Sequence, residues 1–166
     1  MPKGQSMSRN HLGKTIYIAT AVPATNDAAG FEALTWIKVE GLVTGPQFGY
    51  QHAAIDIPSL KDGINTAVKG MGSGADSTMT FTKDLDDPGQ IAIKARADGA
   101  TGVGSVKMVT GSGPNLAPAT GDPVQYAQGY FHSYTENQAT GDSYEGFSVN
   151  FRQNLPHIDA ENPTVT

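Results

Sequence analysis

The most constraining feature of this chain is the alternation of apolar and polar residues in short runs. Every second residue from Phe147 to Phe151 is large and apolar, and the residues between them are polar. The run STMTFTKD at 77–84 repeats the pattern, with Met79 and Phe81 opposed by threonines. A period of two is that of a β-strand with one buried and one hydrated face. We therefore predict a mainly β chain.

Turn residues separate these runs along the whole chain. The sequence contains 20 Gly and 10 Pro in 166 residues, a proportion that implies many turns between short strands. Further strands are predicted at 14–22, at 31–43 with a bend near Trp36, at 102–112, at 125–136 and at 143–156, the last two joined by a hairpin loop. About seven or eight strands and one helix predict an antiparallel β-sandwich or barrel with a flanking helix.

One segment, DLDDPGQIAIKAR at 84–96, has the signals of a helix instead. Asp86 and Asp87 are the predicted N-terminal caps, because a carboxylate there accepts bonds from free backbone N–H groups and meets the positive end of the helix dipole. Pro88 suits the first turn. We predict a helix over about 88–97. It carries few large aliphatic residues, so we expect it to flank a sheet.

Residues 46–65 leave two interpretations open. The segment alternates poorly and contains Pro58 and further turn residues, which favours a long protruding loop, although a protruding hairpin fits the same residues. A long segment of this kind in a compact domain usually has a function. We also predict a tight hairpin turn around Gly72–Gly74 that leads into the strand at 77–84.

The length of the chain suits one domain with its own core, and no internal repeat divides it. We expect a flexible N-terminal arm at 1–13, a single domain at 14–156 and an extended, polar C-terminal tail at 157–166. No apolar run approaches the roughly 18 residues of a membrane-spanning helix, so no membrane insertion by this chain is expected.

Charge and cysteine content exclude several classes of function. The formal net charge is -5, whereas proteins that grip nucleic acid rely on Lys and Arg against phosphates. The sequence has no Cys, which excludes a disulfide framework and thiolate chemistry. An acidic surface is still compatible with a protein past which nucleic acid moves without being bound.

No catalytic, cofactor-binding or metal-binding constellation emerges from the motifs. The histidines are far apart and none has a metal-ligand spacing, and the glycines at 69–74 lack the pattern of a phosphate-binding loop. A carbohydrate-binding surface is an open alternative, although tyrosines on a strand are also ordinary sheet packing. Its candidate aromatic residues are Trp36, Tyr126, Tyr130 and Tyr134. We expect no enzyme and no cofactor.

Five segments spread over residues 13–156 carry a further pattern. They are GKTIYIAT, FEALTWIKVEGLVTGPQFG, KDGINTAVKGM, STMTFTKDLDDPGQIAIKAR and QGYFHSYTENQATGDSYEGFSVNFRQN. Their order resembles the major tail tube proteins of long, non-contractile-tailed (siphovirus-type) bacteriophages. The resemblance implies a β-sandwich of near-orthogonal sheets with one helix on its side. It also implies hexameric rings that stack into a tube, related to the tubes of contractile phage tails and of type VI secretion.

The resemblance implies a structural role with defined partners. The subunit would bind copies of itself, hold the tape measure protein inside the tube and contact the tail terminator and distal tail proteins. Viral double-stranded DNA would pass through the channel without specific binding. The location would be the virion tail, assembled in the bacterial host cytoplasm.

Residue assignments for such a tube follow from the predicted faces. The candidate channel-lining residues are Thr78, Thr80, Thr82, Ser148 and Asn150. Arg152 is predicted on the same face as the last two, where its cation would attract passing phosphate, so one of these assignments conflicts with a smooth channel. The candidate ring-to-ring contacts are Arg9, Tyr50, His52, Asp56, Lys61, Asp62 and His157.

The isolated helix has a place in this scheme. If one sheet joins its neighbours edge to edge, a helix covers core on the outer side without blocking those edges. We therefore predict that Ile91 and Ala95 point inward and that Lys94 and Arg96 stay away from the channel.

Two alternatives remain beside a tube subunit. A tail terminator or a type VI secretion-like tube component of the same fold is the nearer one, and a terminator differs by capping a tube rather than polymerising. A carbohydrate-binding β-sandwich module is the alternative from another class, and retention of the monomer on polysaccharide columns would favour it.

Overall fold

The computed structural model of the protein describes residues 10–163. The strands in this part of the chain are β1 Lys14–Ala19, β2 Ile37–Val39, β3 Leu42–Thr44, β4 Tyr50–Ser59, β5 Ile64–Gly74, β6 Asp76–Thr82, β7 Val103–Thr110, β8 Pro123–Glu136, β9 Gly146–Gln153 and β10 Ile158–Glu161. The helices are α1 Ala28–Glu32 and α2 Pro88–Asp98, with a short 3-10 turn at Pro114–Leu116.

Eight strands form one antiparallel sheet in the order β2-β1-β7-β8-β9-β6-β3, with β10 beside β8. Strands β4 and β5 form a separate two-stranded sheet. The predicted fold class, mainly β and antiparallel with a flanking helix, is confirmed.

The large sheet curls because its two edges are joined by a very short link. Strands β2 and β3 lie at opposite ends of the strand order, yet only Glu40 and Gly41 separate them in the sequence. Two extended residues span only about 7 Å, so the two edges must approach each other. Gly41 occupies the corner with a φ of +80°, and a Cβ there would collide with Thr82. The concave side of the sheet therefore encloses an interior.

The N-terminus of α2 fastens this corner. The Asp87 carboxylate caps the helix by accepting a bond from the Gln90 N–H at 3.0 Å, and it also accepts one from the Glu40 N–H at 3.3 Å. The Gln90 side-chain amide donates to the carbonyl oxygens of Glu40 and Thr82, each at 2.8 Å. Asp86 stays in the preceding turn, where its N–H donates to another carboxylate at 3.0 Å. The helix thus ties the link between the two edge strands to the end of β6.

Helix α2 packs through a different face from the predicted one. Ile93 is fully buried, whereas Ile91 is 57% exposed and Ala95 is also exposed. The prediction that Ile91 and Ala95 point inward is wrong, because the bonds of Asp87 and Gln90 to the corner set the rotation of the helix and bring Ile93 over the core.

The interior of the curled sheet holds the main core, which is built from both ends of the sheet and from α2. Its buried members are Ile16, Ile18, Val39, Met79, Phe81, Ile93, Val106, Ala127, Phe131, Phe147, Val149 and Phe151. Aromatic side chains dominate one end, where Phe81 and Phe147 stack with ring centroids 5.1 Å apart. Fully burying a side chain of this size contributes about 1.5–3 kcal/mol, so the concave side of the sheet supplies most of the hydrophobic stabilisation of the fold.

The segment predicted as a strand at 31–43 begins instead with helix α1. Asp27 caps this helix by accepting a bond from the Gly30 N–H at 2.7 Å. The prediction of one bent strand is therefore wrong for residues 31–36, and only the short strands β2 and β3 remain of it. We call residues 25–36 the strap.

The strap covers a second, smaller core on the outer side of β1, β7 and β8. Phe31 is fully buried and stacks on Tyr126 with ring centroids 5.1 Å apart. Trp36 lies against the same tyrosine at 5.7 Å, and its indole N–H donates to the Phe31 carbonyl at 2.9 Å. The sheet is therefore packed on both sides over these strands.

Candidate assembly surfaces

Of the two interpretations left open for residues 46–65, the structure supports the protruding hairpin, which begins at Tyr50. Strands β4 and β5 pair along their length, and the turn between them is at 60–63. The predicted tight turn around Gly72–Gly74 is wrong, because β5 runs through these residues and pairs with β4. Strand β6 pairs with β9 and β3 instead. We call β4 and β5 with their turn the hairpin.

One face of the hairpin is apolar and uncovered. The register places Ile55 opposite Val68 and puts Ile57 and Ile64 on the same face. These four side chains are 54%, 48%, 47% and 64% exposed, respectively. The opposite face carries polar residues such as Asp56. Within the described chain, no other element packs on the apolar face, so the hairpin is amphipathic without a partner.

The base of the hairpin is fixed to the end of β9. The Gly49 N–H donates to the side-chain oxygen of the buried Gln153 at 3.1 Å. The Tyr50 hydroxyl donates to the Asn154 carbonyl at 2.8 Å. Gly74 lies so close to the Gln153 backbone that a Cβ there would overlap it. The hairpin is therefore fixed at its base, while its strands project from the curled sheet. We call the curled sheet with its two helices the body.

Five of the proposed ring-to-ring residues lie along the hairpin. Tyr50 and His52 are near its base, with ring centroids 6.4 Å apart. Asp56 lies midway along β4, and Lys61 and Asp62 lie in the turn at the tip. The set therefore runs the whole length of the projecting element.

The remaining ring-to-ring candidates come from the termini. His157 stacks on Phe48 at 5.9 Å, next to the base of the hairpin. The residues after it form β10, which pairs with β8 from Ile158 opposite Tyr126 onward. Arg9 lies outside the described residues.

The channel-lining candidates share the outer face of β6 and β9. Thr78 lies opposite Asn150 and Thr80 opposite Ser148, and the Thr78 hydroxyl donates to the Asn150 side-chain oxygen at 3.0 Å. Thr82 lies at the end of the same row. The alternate residues of both strands are buried in the main core, so the predicted division into two faces is confirmed. We call this outer surface of β6, β9 and the adjoining part of β8 the polar face.

The charges on the polar face lie next to each other. Arg152 lies opposite Asp76 on β6 and opposite Tyr130 on β8. The His132 ring nitrogen Nε2 lies 3.0 Å from the Asp76 carboxylate. Arg152 therefore shares the face with the threonines, as the alternation predicts. A carboxylate directly across the strand pair offsets its charge.

The aromatic residues considered for carbohydrate binding do not form one exposed platform. Tyr126 is fully buried and Trp36 packs against it beneath the strap. Tyr130 and Tyr134 are half-buried, and Tyr134 stacks on Phe147 at 5.0 Å. The geometry thus favours packing roles for these four residues.

A groove of about 710 Å³ opens between the start of β1 and the edge strand β3. Leu12, Leu42, Phe48 and Met108 are among the apolar side chains that line it. Over residues 10–163, no group of three or more potential ligands is placed to hold a metal ion. In the same residues, no helix is long and apolar enough to cross a membrane.

Two features, helix α1 and the apolar face of the hairpin, were not predicted, although the sequence carries a signal for each. Asp27 precedes small residues that favour a helix, but it stands in a turn-rich stretch and resembles a loop residue. Ile55 and Ile57 lie on either side of the polar Asp56, but Pro58 directly after them weakens the strand pattern.

Comparisons with known proteins identify a solved structure with a similar fold. No protein-family model matches the chain, and no curated protein matches it. A solved structure described as "Tail of empty GTA particle computed with helical refinement, C6 symmetry" is similar with a TM-score of 0.54 and 14% identity, over 95% of this chain and 100% of that chain. A type six secretion system protein aligns with a TM-score of 0.41 and 14% identity, over 84% of this chain and 78% of that one. The chain thus shares its fold with a component of a six-fold symmetric particle tail.

Proposed function

We propose that the protein is the structural subunit of a bacteriophage-type tail tube, of the long non-contractile kind, and that it forms hexameric rings stacked around a DNA channel. The likeness to a C6-symmetric tail, which spans 95% of this chain and all of the tail chain, is the observation that carries the proposal.

The hairpin is the proposed contact between subunits of neighbouring rings. Its four exposed aliphatic side chains lie on one face and lack cover within the described chain. Because each is about half exposed, covering the rest of it would contribute roughly half of the 1.5–3 kcal/mol of full burial, and the gain is repeated at every subunit of a ring. A projecting element that meets a different surface of the next copy makes a head-to-tail contact, the kind that forms rings or filaments.

The polar face is the proposed lining of the channel. Hydroxyl and amide groups bind water readily and carry no charge, so a phosphate backbone slides past them without strong attraction. The carboxylate of Asp76 lies across from Arg152 and reduces the pull of that cation. In this arrangement viral double-stranded DNA and the tape measure protein occupy the channel without specific binding.

The remaining partners follow from the same scheme. The tail terminator and the distal tail proteins would meet the two ends of the tube. The protein would be located in the virion and assembled in the host cytoplasm. No catalysis enters this mechanism, because the subunit acts by shape and surface chemistry alone.

Electron microscopy of the purified protein over a concentration series tests the proposal. We expect negatively stained rings or hollow tubes with a central hole. The double variant Ile55→Ser, Ile57→Ser should lose stacked tubes, whereas the matched double variant Asn65→Ser, Ala67→Ser on the opposite hairpin face should keep them. Rings that never stack would favour a terminator. A monomer at every concentration, also in the presence of tail-initiation components, would overturn the tube and make polysaccharide retention the next assay.

A further inference from the structure

Lys107 is an unusually placed cation. It lies in the middle of β7, on the side of the sheet that the strap covers, and is only 8% exposed. Its ammonium nitrogen lies 5.1 Å from the ring centroid of Tyr17 and 5.8 Å from that of Tyr126. Within the described chain it forms no hydrogen bond and no ion pair. Two aromatic rings attract the cation but accept none of its three N–H groups.

A second buried donor lies beside it. The Tyr126 hydroxyl is buried and has no hydrogen-bond partner among the described residues. Burial raises the pKa of this hydroxyl to about 12, with a smaller contribution from the charge of Glu32. Burial lowers the pKa of the Lys107 ammonium, and the charge of Glu32 opposes that effect. A buried donor without an acceptor is costly, so the Tyr126 hydroxyl beside a mostly buried cation calls for an explanation.

Glu32 is the acid best placed to satisfy both donors. It ends α1 and directly follows Phe31, whose ring stacks on Tyr126. The other charged groups near this cluster, Lys38 and Glu40, pair with each other at 3.0 Å. Glu32 itself is exposed and forms no ion pair in the described chain.

We propose that Lys107 and Tyr126 form a carboxylate-binding site beneath the strap, and that the Glu32 side chain turns inward to occupy it. The pair holds the strap shut over the second core. Phe31 and Trp36 pack on Tyr126 with Glu32 turned outward, and the inward position of Glu32 adds a bond, the latch, that makes opening of the strap rarer. The latch is independent of the proposed tube, since it acts within one chain.

Hydrogen exchange and fluorescence measure the latch directly. The strap amides of Phe31, Ala33 and Leu34 are protected by bonds within the strap. The sequence has a single tryptophan, Trp36, so its emission and its quenching by acrylamide report on the strap alone. We expect Glu32→Gln to speed exchange of these amides about tenfold, the factor for loss of a hydrogen bond to a charged group. Quenching of Trp36 should rise with it.

A double-mutant cycle separates the latch from simple packing. In a Lys107→Met background, Glu32→Gln should have little further effect on strap exchange, because its partner is gone. Tyr126→Phe removes only the hydroxyl and provides a second background that keeps the aromatic packing; there the effect of Glu32→Gln should shrink. Glu145→Gln, on the exposed loop between β8 and β9, is the matched control and should leave the strap unchanged.

Two results would overturn the latch. One is an unchanged strap in Glu32→Gln, by both exchange and quenching. The other is an effect of Glu32→Gln that is equal in the wild-type, Lys107→Met and Tyr126→Phe backgrounds, which would show that Glu32 acts without either donor. If the Lys107→Met protein does not fold, the Tyr126→Phe cycle decides alone.

Discussion

Strands β6 and β9 and the hairpin are both antiparallel pairs with one apolar face, yet the two faces have different fates. On β6 and β9 the apolar side chains are buried against the rest of the curled sheet and α2. On the hairpin the corresponding side chains remain about half exposed or more. Alternation in a sequence therefore predicts that a strand has an apolar face, but not what covers that face. The hairpin is the region where the proposed tube supplies the cover.

The largest expected difference is between truncations in the two regions. Phe81→Ala should lower the free energy of unfolding of the monomer by about 3–5 kcal/mol, because it removes a buried ring stacked on Phe147. Ile57→Ala in the hairpin should change it by no more than about 0.5 kcal/mol. Urea unfolding of both variants at low protein concentration measures the contrast. Equal losses would mean that the hairpin is packed in the monomer after all.

The base of the hairpin joins the two regions, so it gives the next largest effect. Gln153→Ala should cost about 1 kcal/mol or more, because the partly buried N–H of Gly49 loses its acceptor. We also expect this substitution to speed up amide hydrogen exchange more along β4 and β5 than along β6. Gln51→Ala, on the exposed part of β4, is the control and should do neither. An unchanged hairpin in Gln153→Ala would show that backbone pairing alone fixes the base.

At the corner between β2 and β3, the stability of the monomer should depend on Asp87 more than on the acid beside it. Asp87→Ala should destabilise the monomer by about 1 kcal/mol, since it removes the cap of α2 and a bond to the Glu40 N–H. Asp86→Ala, one residue earlier in the turn, should have a smaller effect. Thermal unfolding of the two variants checks the order, and the reverse order would contradict the role of Asp87.

The smallest expected effect is a pH dependence confined to the body. Asp122 accepts bonds from the Ser112 side chain and from the Ala119 N–H, which hold its pKa below the ordinary value of 3.8. A depressed pKa in the folded state contributes stability that is fully present above 3.8 and is lost as the pH falls through the folded value. Asp122→Asn should therefore flatten the fall in stability below that pH. Asp56→Asn on the hairpin is the control, and an identical flattening there would contradict the assignment.

The strands of the body could be predicted because their pattern and their cover lie in the same chain. The buried and polar sides of β6 and β9 follow directly from alternation around Met79 and Val149. The rotation of α2 could not be predicted, because Ile91 and Ile93 are similar residues that lie on different sides of a helix. The choice depends on the bonds that Gln90 makes to a distant corner.

The assembly surfaces were harder to predict for a different reason. The residues proposed for the channel were found on one face, because that face is a property of two paired strands. The pairing of β4 with β5 and the position of the strap depend on contacts between segments that alternation does not specify. Which surface of a neighbouring copy meets the hairpin is a property of two molecules, and one sequence read alone contains only half of it.

The order in which the body and the hairpin fold during synthesis follows from the sequence separation of their contacts. The body is closed by contacts between distant residues, such as Lys14 with Thr110 at a separation of 96 and Thr78 with Asn150 at 72. Topologies dominated by such contacts fold slowly, in milliseconds to seconds, whereas an isolated hairpin closes in roughly 1–10 μs. The hairpin can therefore form while the body is still unfolded, and its apolar face is exposed on nascent chains. Polysomes producing this protein would carry many such faces close together, and in the proposed tube rapid docking of the hairpin would also limit aggregation.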